Sequence, residues 1–234
     1  MKLSVLVPVY NEIATIAEVI RRVRAAPAQV PMELIFVDDC SVDGTREFLE
    51  SLVSSEGRES GEVKVFLHER NLGKGAAIRT AISHATGTMV LIQDADLEYD
   101  PQDYGILLKP ILDGHADVVF GNRFHGGAHR VLYFWHAVGN RLLTTLCNMV
   151  TNLNLMDMEV GYKVFRTEIL KQIQLHSSRF GFEPEITVKL AKLGCRIYEV
   201  PISYHGRTYA EGKKISWRDG IAAFFHIIRY RFFD

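Results

Sequence analysis

The sequence predicts an α/β protein, a mostly parallel central sheet flanked by helices in a single domain that ends in amphipathic helices. Three observations carry that expectation. Strand-like runs alternate with helical periodicity through the first half, the pattern of a parallel sheet. The run Met89-Val90-Leu91-Ile92 is continuous and apolar, as a strand buried on both faces must be. A chain of 234 residues with 47% hydrophobic content can bury one large core.

In chain order, residues 3–9 are strand-like, and Ile13, Ile16, Val19, Ile20 and Val23 then recur at helical spacing. A break from Pro27 to Pro31 precedes a second strand at 33–37. Asp43 is placed to cap a helix that buries Phe48, Leu49, Leu52 and Val53, closed by the polar loop 54–62. A strand at 63–67, a helix opened by Asn71-Leu72-Gly73-Lys74-Gly75 and the strand 89–93 follow. Asp100 and Pro101 suit the N-cap and first turn of a helix running to Leu112, before a strand at 117–120. Beyond it, residues 131–153 are aromatic-led, largely uncharged and helical, and 162–165 form a short strand. Helices begin near Thr167 and at Pro184, the second ended by Gly194 as a left-handed cap. Residues 196–204 are the last strand. Ser216 and Asp219 then frame a capping box for a terminal helix with Ile221, Phe224, Phe225, Ile228 and Phe232 along one face.

A formal net charge of -1 leaves no global field to recruit nucleic acid. The three cysteines, Cys40, Cys147 and Cys195, are odd in number and lack ligand spacing, which fits reduced thiols in a cytoplasmic protein. The N-terminal apolar run is too short for a signal peptide. No stretch of eighteen apolar residues occurs, so the sequence predicts no membrane span.

Asp94, Asp96 and Glu98 fall just past a buried strand, where ligands of open α/β sheets bind. At alternate positions they can lean the same way and share a hard cation, Mg2+ or Mn2+, that bridges a diphosphate. As turn formers they would need no metal. Tyr10 can stack on a base, and Glu12, Asp38 and Asp39 can accept hydrogen bonds from a ribose or a base; equally, the two aspartates suit a helix cap and Tyr10 a core ring. Glu183 and Glu185, after Gly181, read first as acids at a helix N-terminus, and second as a contact from Glu183 to a bound sugar. His68 and His205 read as structural.

Together these segments resemble the family 2 glycosyltransferases of the GT-A fold. The residues that carry the resemblance are Val7-Pro8-Val9-Tyr10-Asn11-Glu12, the turn Asp38-Asp39 with Ser41, Asp43, Gly44 and Thr45, the segment Asn71 with Gly73-Lys74-Gly75, and Asp94-Ala95-Asp96. The resemblance implies inverting transfer of a sugar from a nucleotide-sugar donor with a divalent cation. It implies a donor site of Pro8, Tyr10, Glu12, Asp38, Asp39, Lys74, Asp94 and Ala95, and metal contacts from Asp94, Asp96 and Glu98. The expected organisation is a GT-A domain over 1–215, with its nucleotide part at about 1–120 and its acceptor part at about 121–215, then an amphipathic helix at 216–234.

After residue 120 the chain is similar to dolichol-phosphate mannose synthases and related polyprenyl-phosphate sugar transferases. Gly121-Asn122-Arg123-Phe124, Gly126-Gly127, Arg141, Asp157, Gly161-Tyr162-Lys163-Val164-Phe165, Arg207 and Gly212-Lys213-Lys214-Ile215 carry this likeness. It implies a polyprenyl phosphate acceptor, with Arg123, Arg141, Arg207 and Lys214 neutralising two anions that must approach each other. Such an acceptor is already ionised and needs no strong base, so Asp157 is expected to orient while Asp96 completes the catalytic set. Arg130 and Arg218 read as solvated. A lipid acceptor implies peripheral contact at the cytoplasmic membrane face or a membrane-anchored partner, through 131–135 with its following helix and through the terminal helix. Homo-oligomerisation stays open. GDP-mannose and UDP-sugars are not separated by the sequence. A soluble hydroxyl acceptor, a nucleotidyltransferase and a silent nucleotide-sugar-binding protein are the competing readings, and the nucleotidyltransferase lacks its phosphate loop because no glycine follows the first strand until Gly44.

Overall fold

The computed structural model describes the chain apart from residues 57–61, 126–128, 132, 180 and 213–216, and apart from the side chains of residues 55, 56, 217 and 218. Lys214, the Gly126-Gly127 pair, Ser216 of the expected capping box and the Trp217 and Arg218 side chains lie outside the described residues.

Seven strands form one sheet in the order β3-β2-β1-β4-β6-β5-β7. The parallel half holds β1 (Leu3–Val9), β2 (Met32–Asp38), β3 (Val63–Leu67) and β4 (Met89–Ile92). These strands are nearly continuous Val, Ile and Leu because helices cover both faces. In the other half, β6 (Lys163–Arg166) runs antiparallel to both β4 and β5 (Val118–Asn122), and β7 (Ile197–Pro201) pairs parallel to β5. Sheet order reverses around β1, whose neighbours are β2 and β4, and the carboxyl ends of strands at such a reversal are where open α/β sheets bind ligands.

Helix α1 (Ile16–Arg24) buries Ile16, Val19, Ile20 and Val23, the expected stripe, whereas Ile13 precedes the helix and is exposed. Helices α2 (Thr45–Glu56), α3 (Lys74–His84) and α4 (Tyr104–Leu112) complete the crossovers. Asp100 accepts from the Gln102 N–H and caps a short 3-10 turn before α4. The aromatic-led segment becomes α5 (Phe134–Thr151), narrower than the sequence suggests because Asn152 leaves it in the left-handed region at φ 57°. After the single turn α6 (Thr167–Leu170), α7 (Phe182–Leu193) ends at Gly194 with φ 69°, as expected. The terminal α8 (Trp217–Phe232) packs on α5 and α7. Among the described residues, no helix is long and apolar enough to cross a membrane.

Candidate active site

The turns after β1 and β2 are sewn together by short polar side chains. Asn11, at φ 51°, donates its N–H to Ser41 Oγ at 2.9 Å and accepts from the Val42 N–H at 2.8 Å. The Ile13 N–H reaches Asp43 Oδ2 at 3.1 Å, and the Glu12 N–H reaches Thr45 Oγ1 at 3.0 Å. Side-chain caps of this kind replace the sheet bonds that the strands have just given up. Pro8 lies within β1, Tyr10 is part-exposed at the rim, and Glu12 is buried.

Asp38 and Asp39 have separate tasks. Asp39 accepts from the Leu72 and Gly73 N–H groups at 2.8 and 2.7 Å and meets His68 Nδ1 at 2.8 Å, so it fastens the turn before α3. Asp38 is fully buried and holds the Ser41 N–H and Arg46 through Oδ2, while its Oδ1 has no hydrogen-bond partner among the described residues. A buried carboxylate oxygen left open in this way is a ready acceptor for a ligand N–H or O–H.

Lys74 opens α3 after Gly73, whose φ of 95° and lack of a Cβ let the turn lie against the Ser178 carbonyl. Its Nζ sits 2.9 Å from Asp94 Oδ1 and 3.0 Å from Glu183 Oε1. Burial alone would lower the ammonium pKa, but the two carboxylates outweigh it and hold the group well above its ordinary value.

The acidic turn leaves β4 through Gln93, which is buried and accepts from the Tyr104 and Tyr162 hydroxyls at 2.9 and 2.6 Å. Its amide donates to the Asp94 carbonyl at 2.9 Å, and Thr15 Oγ1 donates to the Ala95 carbonyl at 2.7 Å, fixing the path of the turn from below. Asp96 is pushed up to about 7 by burial first and then by the Asp94 and Glu98 carboxylates, with Arg207 opposing. Arg207 donates to Asp96 Oδ2 at 3.1 Å and to both Glu12 oxygens at 3.2 and 3.3 Å. Leu97 turns the chain at φ 61°, and Glu98 then accepts from the Tyr204 hydroxyl at 2.9 Å and the Arg207 N–H at 2.7 Å.

Asp94 and Asp96 therefore offer hard oxygen donors under like-charge stress that a divalent cation would relieve. Glu98 has each oxygen engaged by the 204–207 loop. Among the described residues, no group of three His, Cys, Asp or Glu side chains could hold a metal ion, so a cation on Asp94 and Asp96 would draw further ligands from a bound substrate or water, the usual habit of Mg2+.

Arg123 grips Asp157 with Nε to Oδ2 at 2.6 Å and a terminal nitrogen to Oδ1 at 2.7 Å, and it lies over the Tyr204 ring at 5.2 Å. Asp157 is fully buried and also accepts from the Asn140 amide at 3.3 Å. Arg141 is exposed on α5, without a side-chain partner among the described residues. Three more charged residues join this cluster: Glu183, read from the sequence as a helix-start acid or a sugar contact, and Glu159 and Lys163, given no role there. Glu183 is the second partner of Lys74. Glu159 is raised by burial and then by Glu183, and Lys163 is lowered by burial against the pull of Glu183 and Glu159. A Lys or Glu in an otherwise apolar strand or helix start was the only signal available.

The family model described as glycosyl transferase family 2 matches residues 4–174. The chain belongs to that family and is a glycosyltransferase. It is 31% identical over 227 residues to glycosyltransferase AglJ of Haloferax volcanii, covering 96% of this chain and 70% of the relative. It is 29% identical to the dodecaprenyl-phosphate galacturonate synthase of Rhizobium johnstonii, covering 97% of this chain and 64% of that protein. A similar match, at 30% identity, is the undecaprenyl-phosphate 4-deoxy-4-formamido-L-arabinose transferase of Pseudomonas aeruginosa, covering 92% of this chain and 61% of that one. The chain thus spans under two thirds of the length of the last two. Among solved structures, glucosyl-3-phosphoglycerate synthase from Mycobacterium tuberculosis in complex with Mn2+, uridine-diphosphate and phosphoglyceric acid superposes with a TM-score of 0.74 at 20% identity, covering 100% of this chain and 79% of that chain. That likeness establishes the GT-A fold.

Proposed function

We propose that this glycosyltransferase moves a hexose from a nucleotide sugar to a polyprenyl phosphate, with inversion, at a site that holds Mg2+ or Mn2+ on Asp94 and Asp96. The observation that carries the reading is the Arg123–Asp157 pair. A hydroxyl acceptor needs a group that removes its proton, and the family-placed candidate, Asp157, is fully buried with both oxygens committed to a guanidinium. A phosphate acceptor arrives ionised and needs cations instead. The names of the relatives from Rhizobium and Pseudomonas point to the same acceptor class.

In this reading Asp38, through its open Oδ1, and Tyr10 hold the nucleoside, while Asp39 and Lys74 set the floor of the donor site. Arg207, presently shared by Glu12 and Asp96, turns toward the phosphates when the donor arrives, and Arg123 and Arg141 face the acceptor phosphate. Lys214 would add to this basic set. The cation supplies Lewis-acid stabilisation of the departing diphosphate when bound. Asp157 orients Arg123 and takes no proton.

The reading also places the enzyme on a membrane surface. Trp135 is 76% exposed at the start of α5 and Phe225 is 65% exposed on the neighbouring α8, with Arg229 and Arg231 on the same helix. Aromatic and cationic side chains of this kind suit an interfacial helix. The test is release of nucleoside diphosphate across a panel of nucleotide sugars, with polyprenyl phosphate or soluble sugars as acceptor. Turnover with the lipid phosphate and a pH–rate profile unchanged in shape by Asp157→Asn is the expected outcome. Turnover only with hydroxyl acceptors, losing its basic limb in that variant, rejects the lipid acceptor.

A further inference from the structure

The segment Gly181-Phe182-Glu183-Pro184-Glu185 starts α7, and its two acids point to different partners, as residues two apart on a helix do. Glu185 accepts from the His176 and Ser177 N–H groups at 2.7 Å each. The segment it holds lies flat on the start of α3. A Cβ on Gly73 would come 2.3 Å from the Ser178 carbonyl oxygen, and one on Gly75 would come 2.4 Å from that of Ser177. The Ala76 N–H also donates to the Ser178 carbonyl at 3.1 Å. The first turn of α3 is therefore docked backbone to backbone on residues 177 and 178, which Glu185 ties to the start of α7, and Glu183 there meets Lys74.

Glu183 is buried and uses only one oxygen. Oε1 lies 3.0 Å from Lys74 Nζ, nearly matching the 2.9 Å from that nitrogen to Asp94 Oδ1, and Oε2 is buried without a hydrogen-bond partner among the described residues. One ammonium thus stands between two carboxylates. The ammonium lies against both Asp94 oxygens, at 2.9 and 3.2 Å, so a divalent cation arriving there would meet it at close range and repel it. The open oxygen of Glu183 offers the ammonium a second hydrogen bond in compensation.

We propose that Glu183 is a positioning residue for the metal site: it receives the Lys74 ammonium when a divalent cation takes Asp94, and so lets the acidic turn exchange an internal counterion for the catalytic one. The proposal rests on the reading that Asp94 and Asp96 hold a divalent cation. It differs from helix capping, which would leave cation binding unaffected, and from direct contact with a sugar, which would act on the donor and not on the metal.

The experiment titrates the purified protein with Mn2+ alone and reads unbound Mn2+ by electron paramagnetic resonance, without donor or turnover. Glu183→Gln, which leaves Lys74 no second carboxylate, should weaken Mn2+ binding by about tenfold, the lower end for a group that acts behind a metal ligand. Lys74→Met, which removes the competing ammonium, should tighten it. In the Lys74→Met background, Glu183→Gln should have no further effect, because the route through the ammonium is gone. A simple loss of negative charge would weaken binding equally in both backgrounds, and that result overturns the proposal. So does unchanged binding in Glu183→Gln. If Glu183→Gln does not fold, Lys74→Met decides alone, and weaker Mn2+ binding in that variant overturns the proposal. Absence of Mn2+ binding by the unaltered protein overturns the metal reading itself and this inference with it, whereas normal binding with a silent Glu183→Gln overturns the inference alone.

Discussion

Two acidic sites stand at opposite ends of the same sheet, and their protonation chemistry is opposite. At the amino end, Glu33 is fully buried within β2 yet accepts from Ser4 Oγ at 2.5 Å, from the Thr86 and Gly87 N–H groups at 2.7 and 3.2 Å, and from the Lys2 and Lys64 ammonium groups at 3.0 Å each. Burial would raise its pKa, but those donors more than offset it and hold the carboxyl well below its ordinary range. At the carboxyl end, Asp96 keeps one N–H donor, from Glu98 at 3.1 Å, and a share of Arg207, and is pushed up to about 7 by burial and its acidic neighbours. The difference separates a carboxylate that closes a structure from one held ready for something else. A satisfied buried charge holds three strands and a loop in register; an under-satisfied one costs stability, as active-site groups commonly do.

The largest effect that tests this contrast is on turnover. Asp96→Asn should lower kcat/KM by roughly a thousandfold, the scale for losing a principal electrostatic group, while unfolding in urea shows a protein no less stable than the original. A marked loss of stability in that variant would erase the contrast. Glu33→Gln should do the reverse, costing about 2 kcal/mol of stability with kcat/KM of the folded protein intact. This is less than for a wholly buried pair, because Lys2 and Lys64 are partly solvated.

Acid and base should separate the two sites further. Asp96, raised from 3.8 to about 7, favours the folded state fully below the unfolded value, and that contribution is lost as pH rises through about 7. The stability advantage of Asp96→Asn should therefore be smallest near pH 4 and greatest above pH 7, in metal-free urea titrations. Glu33, with its carboxyl depressed, contributes above the unfolded carboxylate range and loses that contribution as pH falls through its lowered value, so Glu33→Gln should narrow its deficit in acid. The smallest expected effect is that of Lys64→Met, under about 1 kcal/mol, since Lys2 and the Ser4, Thr86 and Gly87 donors remain on Glu33.

Much of the fold is legible in the sequence because parallel strands advertise themselves. The run 89–92 is apolar throughout, and the α1 stripe follows the helical period. The antiparallel insertion of β6 is not legible, for Lys163-Val-Phe-Arg166 has the composition of a strand and no mark of its direction. The turns after β1 and β2 were readable as Asp, Asn and Ser at strand ends. What each oxygen does was not: Asp39 is consumed by the turn before α3, and Glu98 by Tyr204 and the Arg207 N–H, partners more than a hundred residues away. Glu33 gave no signal, since a lone acid at the start of a strand usually marks an exposed edge.

Gly161 closes the distance between the two halves of the site. A Cβ there would stand 2.4 Å from Asp94 Oδ2, and its N–H donates to the Tyr99 hydroxyl at 2.8 Å, so the backbone leading into β6 is pressed directly against the acidic turn. Asp157, which grips Arg123, lies four residues upstream on the same lead-in. The stretch 157–161 acts as a gauge block: one end abuts the carboxylate assigned to the donor and the other sets the guanidinium assigned to the acceptor. In the proposed reading, the span that an in-line displacement must cross is thereby machined into the backbone.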